Sequence, residues 1–295
     1  MQLAAAVHNA PPRTVPLSTK LVVLFGGPLG MIGWLLGGFG MIFAILFVGN
    51  ADFASSFYFR GALESTQGTV IECVDTHASE GGSRHSHGTP IYAYHYTFFA
   101  IGNTYTNISY RTGRNLNEKH AVTVEFPTGH PEHSRIQGMR TAVFDPEVCF
   151  VLIFPAIGLG LAGYALCTGL KNISLLTNGE MASARCASKE ITNMRVNRKT
   201  VYKVWFDFVD RTGAYQKTFM RTTEPESFED GSFKTVLYDT ARPSRSIILQ
   251  SLNKITLNEQ GQVNACDPGR ALKALMPVIG AMAVVASCIY LRHLT

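Results

Sequence analysis

IYAYHYTFFAIGNTYTNISY, residues 91–110, lies over VYKVWFDFVDRTGAYQKTFM, residues 201–220, without a gap at an offset of 110. Farther on, EFPTGHPEHSRI (125–136) lies over LYDTARPSRSII (237–248) at an offset of 112. Each of these stretches has a proline, Pro131 or Pro243, ahead of a serine, Ser134 or Ser246. Upstream, Gly68 stands where Gly179 does, and Cys73 nearly where Cys186 does. An internal repeat sets the architecture, so it is read first. Within each stretch the pattern has period two. Tyr92, Tyr94, Tyr96 and Phe98 share one face; Ala93, His95 and Thr97 share the other. In the second stretch Tyr202, Val204, Phe206 and Phe208 alternate with Lys203, Trp205 and Asp207. This alternation marks antiparallel strands with one buried face, which puts Lys203, Trp205 and Asp207 toward solvent. Hairpin turns fall at residues 102–103 and 210–213. Several short strands with aromatic-rich cores predict a small antiparallel barrel or sandwich in each copy.

Outside these stretches the chain is strongly apolar in three places. Residues 21–48, 148–170 and 274–291 contain no charged side chain. A helix of about 20 apolar residues crosses a hydrocarbon core of ~30 Å. The first run is far longer than the 7–15 or so residues of a signal-peptide core, so it reads as an uncleaved anchor. The expected organisation is a disordered tail over 1–20, a transmembrane helix over 21–49 and a β-domain over 52–147. A second transmembrane helix over 148–170, a second β-domain over 171–257, a linker over 258–273 and a third transmembrane helix over 274–291 complete it. The fold class is therefore membrane α + β: three transmembrane helices alternating with two repeated small antiparallel β-barrel or sandwich domains. Residues 51–63, with Phe53, Phe57, Tyr58 and Phe59, read as a helix emerging at the interface, where aromatic rings favour the headgroup level.

Charge is distributed unevenly. Residues 52–147 have seven Lys or Arg against ten Asp or Glu, whereas residues 171–270 have fifteen against eleven. Arg13 and Lys20 precede the first span, Lys171, Arg185 and Lys189 follow the second, and Arg270 and Lys273 precede the third. Basic residues near span ends stay in the cytoplasm. Three single crossings then place the N-terminus and the second domain inside and the first domain outside, with Arg292 as the exception. If one run is a re-entrant hairpin, both domains share one side. The six cysteines form no disulfide framework and read as small core residues.

The closing strands carry a family resemblance. Gly231, then Val236-Leu237-Tyr238-Asp239, then Pro243, Ser246 and Ile248 follow a Gly-led first strand and an aromatic second one. This pattern resembles the family called "domain of unknown function 3592", mainly bacterial membrane proteins with a small β-domain flanked by membrane helices. The first copy departs from it: Phe126 replaces the tyrosine, Pro127 the acidic residue, and Lys119-His120 occupies the glycine place. The resemblance covers about 160 residues in two pieces and implies a multi-pass protein of a bacterial inner membrane. It implies no catalytic residue and no cofactor.

Of nine histidines, seven lie in the first domain: His77, His85, His87, His95, His120, His130 and His133. The segment THASEGGSRHSHG (76–88) holds His77, His85 and His87 in a Gly/Ser-rich setting, which makes these three the candidate metal ligands. Histidine also titrates near pH 6.5, so the same segment is a candidate proton sensor; a plain solvated loop is the third reading. The spans carry small residues at close spacing: Gly26, Gly30, Gly33 and Gly37; Gly158, Gly160 and Ala162; Gly280, Ala281, Ala283 and Ser287. Small residues let helix backbones approach in lipid, either within one chain or across a homodimer. No charge lies within a span, which argues against an ion path.

No phosphate-binding loop, G-x-S-x-G or H-E-x-x-H is present. Asn107 and Asn172 head glycosylation sequons that fall in a predicted strand and beside a span. The basic second domain lacks an aromatic-interleaved nucleic-acid motif; anionic lipid heads are a better match. These features point to a non-enzymatic interaction or adaptor protein of the cell envelope. Its partners are the lipid bilayer and another membrane or envelope protein, with a homodimer through the glycine-rich helices as a further partner. The alternative is a sensor whose histidine-rich outer domain takes a metal ion or a proton; a membrane-anchored hydrolase is a third.

Overall fold

The computed structural model describes residues 11–82, 87–114, 116–252, 255–258 and 260–294. Among the described residues, three helices are long and apolar enough to cross a membrane: Pro28–Asn50, Pro146–Asn178 and Pro268–Leu291. The chain divides into two compact units. One combines Met1–Gly38 with Ala156–Val284; the other combines Phe39–Pro155 with Val285–Thr295.

The first apolar run is not one helix. It forms α1 (Leu17–Phe25) and α2 (Pro28–Phe47), separated at Gly26 and Gly27. Proline has no N–H to bond four residues back and suits the first position of a helix, so Pro28 ends one helix and starts the next. At 1.5 Å per residue, only α2 is long enough to cross. The second long helix, α4 (Ile153–Asn178), and the last, α5 (Pro268–Leu294), flank the second sheet in sequence. A short α3 (Phe53–Tyr58) follows α2, at the place the aromatic run predicts.

Small residues bring α2 onto α4 within one chain. A Cβ on Gly33 would lie 2.5 Å from the Ala162 nitrogen, and one on Gly158 would lie 2.2 Å from the Gly37 nitrogen. Gly38 meets α5 in the same way, where a Cβ would come 2.5 Å from that of Ala281. Gly160, Gly163 and Gly280 face open space, which leaves them free for other uses.

The unit with Phe39–Pro155 contains β1 (Leu63–Glu80), β2 (Thr89–Ala100), β3 (Asn103–Thr112), β4 (Ala121–Pro127) and β5 (Arg135–Ile136). They form an antiparallel sheet in the order β3-β2-β1-β4-β5. Tyr94, Tyr96, Phe98, Val122, Val124, Phe126 and Ile136 build its core around Val70. The rings of Tyr96, Phe98, Tyr105 and Phe126 form a chain of contacts at 5.6–6.0 Å. The other unit contains β6 (Glu180–Val196), β7 (Lys199–Val209), β8 (Tyr215–Thr222), β9 (Phe233–Asp239) and β10 (Arg242–Ile248). Its order is β10-β9-β6-β7-β8, and β10 returns beside β8, so this sheet closes nearly into a barrel. Val204, Phe206, Phe208, Met220, Val236, Tyr238 and Ile248 fill it.

Strand pairing refines the sequence alignment. Val70 faces Tyr96 as Cys186 faces Phe206, and Asp75 faces Tyr92 as Ile191 faces Tyr202. The counterpart of Cys186 is thus Val70, not Cys73, and Gly68 corresponds to Ala184, not Gly179. The hairpins explain the change of offset. Glu80 pairs with Thr89 across residues 81–88, whereas Val196 pairs with Lys199 across Asn197 and Arg198 alone. Asn197 and Arg198 both adopt left-handed conformations, as a two-residue turn between twisted strands requires. The next hairpins differ by one residue as well. Ala100 pairs with Asn103 across Ile101-Gly102, while the Asp210 and Ala214 backbones close a three-residue tip ending at left-handed Gly213. Lys119 takes the left-handed conformation of Gly231, and each donates its N–H inward, to the carbonyl of Val70 or Cys186.

Residues 11–20 do not behave as a disordered tail. The Arg13 side chain is buried, and its Nη1 donates to the Gly179 carbonyl at 2.7 Å, while its backbone N–H donates to Thr177. It therefore satisfies carbonyls at the C-terminal end of α4, which have no helical donor of their own. Burial lowers its pKa. Fully buried Thr19 donates to the Asn264 carbonyl and accepts from the Cys266 N–H. Val15 and Val22 join Leu176, Leu237, Leu252, Ile255 and Val263 in one core. The expected linker over 258–273 is part of this packing, and α5 begins within it at Pro268.

Candidate functional site

Each sheet has a long hairpin that outruns its neighbour. β4 pairs with β1 only over Leu63–Thr69, and β9 pairs with β6 only over Glu180–Arg185. Loop backbones extend the pairing to Val70 and Cys186. Beyond them, among the described residues, the outer edges of β1 from Glu72 and of β6 from Ser188 have no neighbouring strand. An unpaired edge is a ready template for another chain, and bulges are one way to restrain it. Both edges carry bulges at matching places, between Val70 and Glu72 and between Asp75 and Ser79 in β1, and between Cys186 and Ser188 and between Ile191 and Arg195 in β6. At the second bulge the Thr76 hydroxyl donates to the Ile91 carbonyl at 2.7 Å and accepts from the Ala78 N–H. Thr192 does the same with the Val201 carbonyl at 2.6 Å and the Met194 N–H.

The side chains on the two edges differ. On β6, Ile191 is 74% exposed, Met194 51% and Val196 49%. The same hairpin carries Lys189, Arg195, Arg198 and Lys199 with Glu190; Lys189 pairs with Asp230 and Lys199 with Glu224. On β1, exposed Ile71 and Val74 share the strand with Glu72, Asp75 and Glu80, of which Glu80 is paired with Arg140. The backbone frame is shared, but the charge is opposite.

The rest of the first domain is held by hydrogen-bonded networks. Asp52 caps α3 by accepting from the Ser55 N–H and hydroxyl, and it also accepts from the Thr141 N–H and hydroxyl. Burial alone would raise this carboxyl, but the four donors outweigh it and hold its pKa below the usual range. Arg135 donates to Glu125 at 2.6 Å and to Ser55, and its guanidinium lies 4.1 Å from the Phe59 ring centre. Arg140 bridges Glu80 and Asp145, and Glu80 also accepts from Thr112. Burial is the largest influence on Glu80, yet Arg140 and Thr112 hold its pKa down. Tyr96 shares a hydrogen bond with Ser134 at 3.0 Å, and burial raises its pKa. Asn107 donates to the Glu132 carbonyl and to Ser134, so its amide is engaged in fixing β5.

In the second domain, Tyr238 donates to Glu180 at 2.9 Å and accepts from the Arg211 N–H. Burial first, and Glu180 next, raise the tyrosine pKa. The outward face of β7 is half-buried rather than solvated. The Lys203 ammonium lies 3.8 Å from the Trp205 ring centre and 4.4 Å from that of Phe219. The long lysine stem covers the rings while its charge gains a cation–π contact.

The histidine segment gains less definition. His77 does not lie in a loop but at the bulge in β1, with φ 58° and its N–H bonded to Asp75 at 2.7 Å. His87 is exposed, and His85 lies outside the described residues. Among the described residues, no group of three His, Cys, Asp or Glu could hold a metal ion. Sequence reading missed Asp52 and the paired bulge threonines. The signal for the first was present, since Asp directly ahead of the first helical residue is a favoured N-cap. Nothing in the local sequence distinguishes the bulge threonines. Comparison with known protein families, with curated proteins and with solved structures gives no match to this chain.

Proposed function

We propose that this chain is an integral membrane protein whose two β-domains are copies of one unit and act as protein-interaction modules on opposite faces of a bacterial inner membrane. The observation that carries the interaction reading is the unpaired edge of each long hairpin, with Ile191, Met194 and Val196 exposed on the second. Edge strands recruit peptides by main-chain hydrogen bonds, and the flanking side chains choose the partner. The acidic edge of β1 and the basic edge of β6 suit different partners. The shared strand order and matched bulges support a duplicated unit, and on that footing the resemblance to domain of unknown function 3592 extends to both copies.

The topology rests on two supports. The distribution of basic residues favours an inner N-terminus and an inner second domain. Independently, Arg13, Thr19 and Val22 pack into the core beside the second sheet, which supports a shared side for the N-terminal segment and that domain. With α2 crossing once between them, the first domain lies outside.

A photo-crosslinking residue at Met194 of the full chain in its native membrane tests the interaction reading. A discrete adduct with another protein is expected, and its loss when Ile191 and Val196 are both changed to lysine. An adduct unaffected by those changes, or none in a folded protein, refutes the edge as an interface.

A further inference from the structure

A cleft of about 240 Å³ opens between the α1–α2 break and α4. Its floor is closed by small residues: a Cβ on Gly30 would meet that of Ala165 at 3.2 Å, and one on Gly169 would lie 3.0 Å from the Leu24 Cα. Above the break it is open, since a Cβ on Gly27 would meet nothing within 4 Å. Typical small-molecule pockets run to about 300–1,000 Å³, so this one suits a slender occupant whose bulk lies outside.

The polar groups around it are out of place for a lipid-facing surface. Tyr164, Thr168 and Asn172 line the cleft at successive turns of one face of α4, an otherwise apolar helix. Thr168 donates back to the Tyr164 carbonyl at 3.0 Å. Among the described residues, the Tyr164 hydroxyl and the Asn172 amide have no protein partner. Leu24, also at the cleft, stands four residues before Pro28, which has no N–H to offer its carbonyl. Backbone and side-chain polar groups in hydrocarbon need partners. Asn172 lies just past the uncharged run 148–170, so the polar end of the cleft is at its mouth and Tyr164 lies deeper.

We infer that this cleft binds one glycerophospholipid whose headgroup donates hydrogen bonds, with an acyl chain laid over Gly27. The inference rests on the membrane reading above. Asn172 and Tyr164 would donate to the phosphate or ester oxygens, and the headgroup would donate to the Leu24 carbonyl. Phosphatidylethanolamine, through its ammonium, and phosphatidylglycerol, through its hydroxyls, supply such a donor. Phosphatidylcholine does not.

The test uses the full chain purified from membranes in mild detergent, with bound lipid measured by native mass spectrometry. Wild type should retain one phosphatidylethanolamine or phosphatidylglycerol per chain. Gly27→Leu, whose Cβ enters open space, should lower that occupancy by about tenfold or more, whereas Gly280→Leu, whose Cβ is likewise open on α5, should not. Adding phosphatidylethanolamine or phosphatidylglycerol should raise the wild-type melting temperature and leave Gly27→Leu unmoved. Equal retention by wild type and Gly27→Leu overturns the site, and equal stabilisation by phosphatidylcholine overturns the donor requirement. If alkaline extraction releases the chain from membranes, the membrane reading and this inference fall together. A chain that resists extraction yet carries no lipid refutes the inference alone.

Discussion

Gly158→Ala should loosen the helix bundle, and the size of the effect follows from what the new methyl group meets. A Cβ there would come 2.2 Å from the Gly37 nitrogen, 2.5 Å from its Cα and 2.8 Å from the Leu36 carbonyl carbon. Comfortable carbon contacts are about 3.5–4.0 Å, so the helices must part by roughly 1 Å or more. The obstructing atoms are backbone, and no rotamer change relieves them. Separation would also weaken the neighbouring approach of Gly33 to Ala162. Overpacking of this kind costs about 1–3 kcal/mol. Alanine itself favours a helix over glycine by about 1 kcal/mol, which masks part of the loss. Gly160→Ala removes that ambiguity, since it gains the same propensity but faces open space. The two variants should therefore differ by the full packing cost of about 1–3 kcal/mol, or a few degrees in melting temperature. Trp34, beside Gly33 on α2, supplies an intrinsic fluorescence signal for thermal unfolding in detergent. Equal melting of the two variants would refute the close approach of α2 and α4. A separate loss of dimer in Gly160→Leu would instead reveal that the open face joins two chains.

Other expectations test the domains. Val204→Asp and Tyr94→Asp put a charge into sites with no exposure and should each cost several kcal/mol, read by denaturant unfolding. Lys203→Asp should cost about 1 kcal/mol through lost cation–π contact rather than be neutral, and equal damage from all three would overturn the face assignment. Asp52→Asn should destabilise by about 1.5–3 kcal/mol near neutral pH, since its charge accepts four hydrogen bonds. The folded carboxyl titrates below its unfolded value of about 3.9, so this contribution is present above that pH and fades as pH falls through the folded value. A wild-type advantage that persists unchanged to pH 2 would contradict it. Micromolar Zn²⁺ should leave the melting of the full chain unchanged. A rise of several degrees that fades below about pH 6 and is abolished when His77, His85 and His87 are all alanine would favour the sensor reading.

Much of the architecture is legible in the sequence because it depends on pattern. Uncharged runs of membrane length mark the three helices, and alternating tyrosines and phenylalanines mark the strands and their buried faces. The first misreadings come from counting. An ungapped offset of 110 hides one extra residue in the β7–β8 turn and six in the β1–β2 loop, and these are set by backbone turns rather than by side-chain pattern. The second kind comes from tertiary partners. Arg13 and Thr19 look like polar tail residues, yet they find the unpaired carbonyls at the end of α4 and in the segment before α5. Lys203 looks solvated, yet its alkyl stem has two aromatic rings to cover. The polar stripe Tyr164, Thr168 and Asn172 is readable as a four-residue spacing, but the cleft it faces depends on the break at Pro28 and the short 3-10 helix ending at Ser251.

The central claim is that α2 crosses between the N-terminus and the first β-domain and that α4 crosses between the two β-domains. Reporter fusions at Gly88, at Asn258 and at the N-terminus of the full chain measure this directly. The account predicts Gly88 outside, with Asn258 and the N-terminus both inside. Gly88 and Asn258 reporting the same side would contradict it.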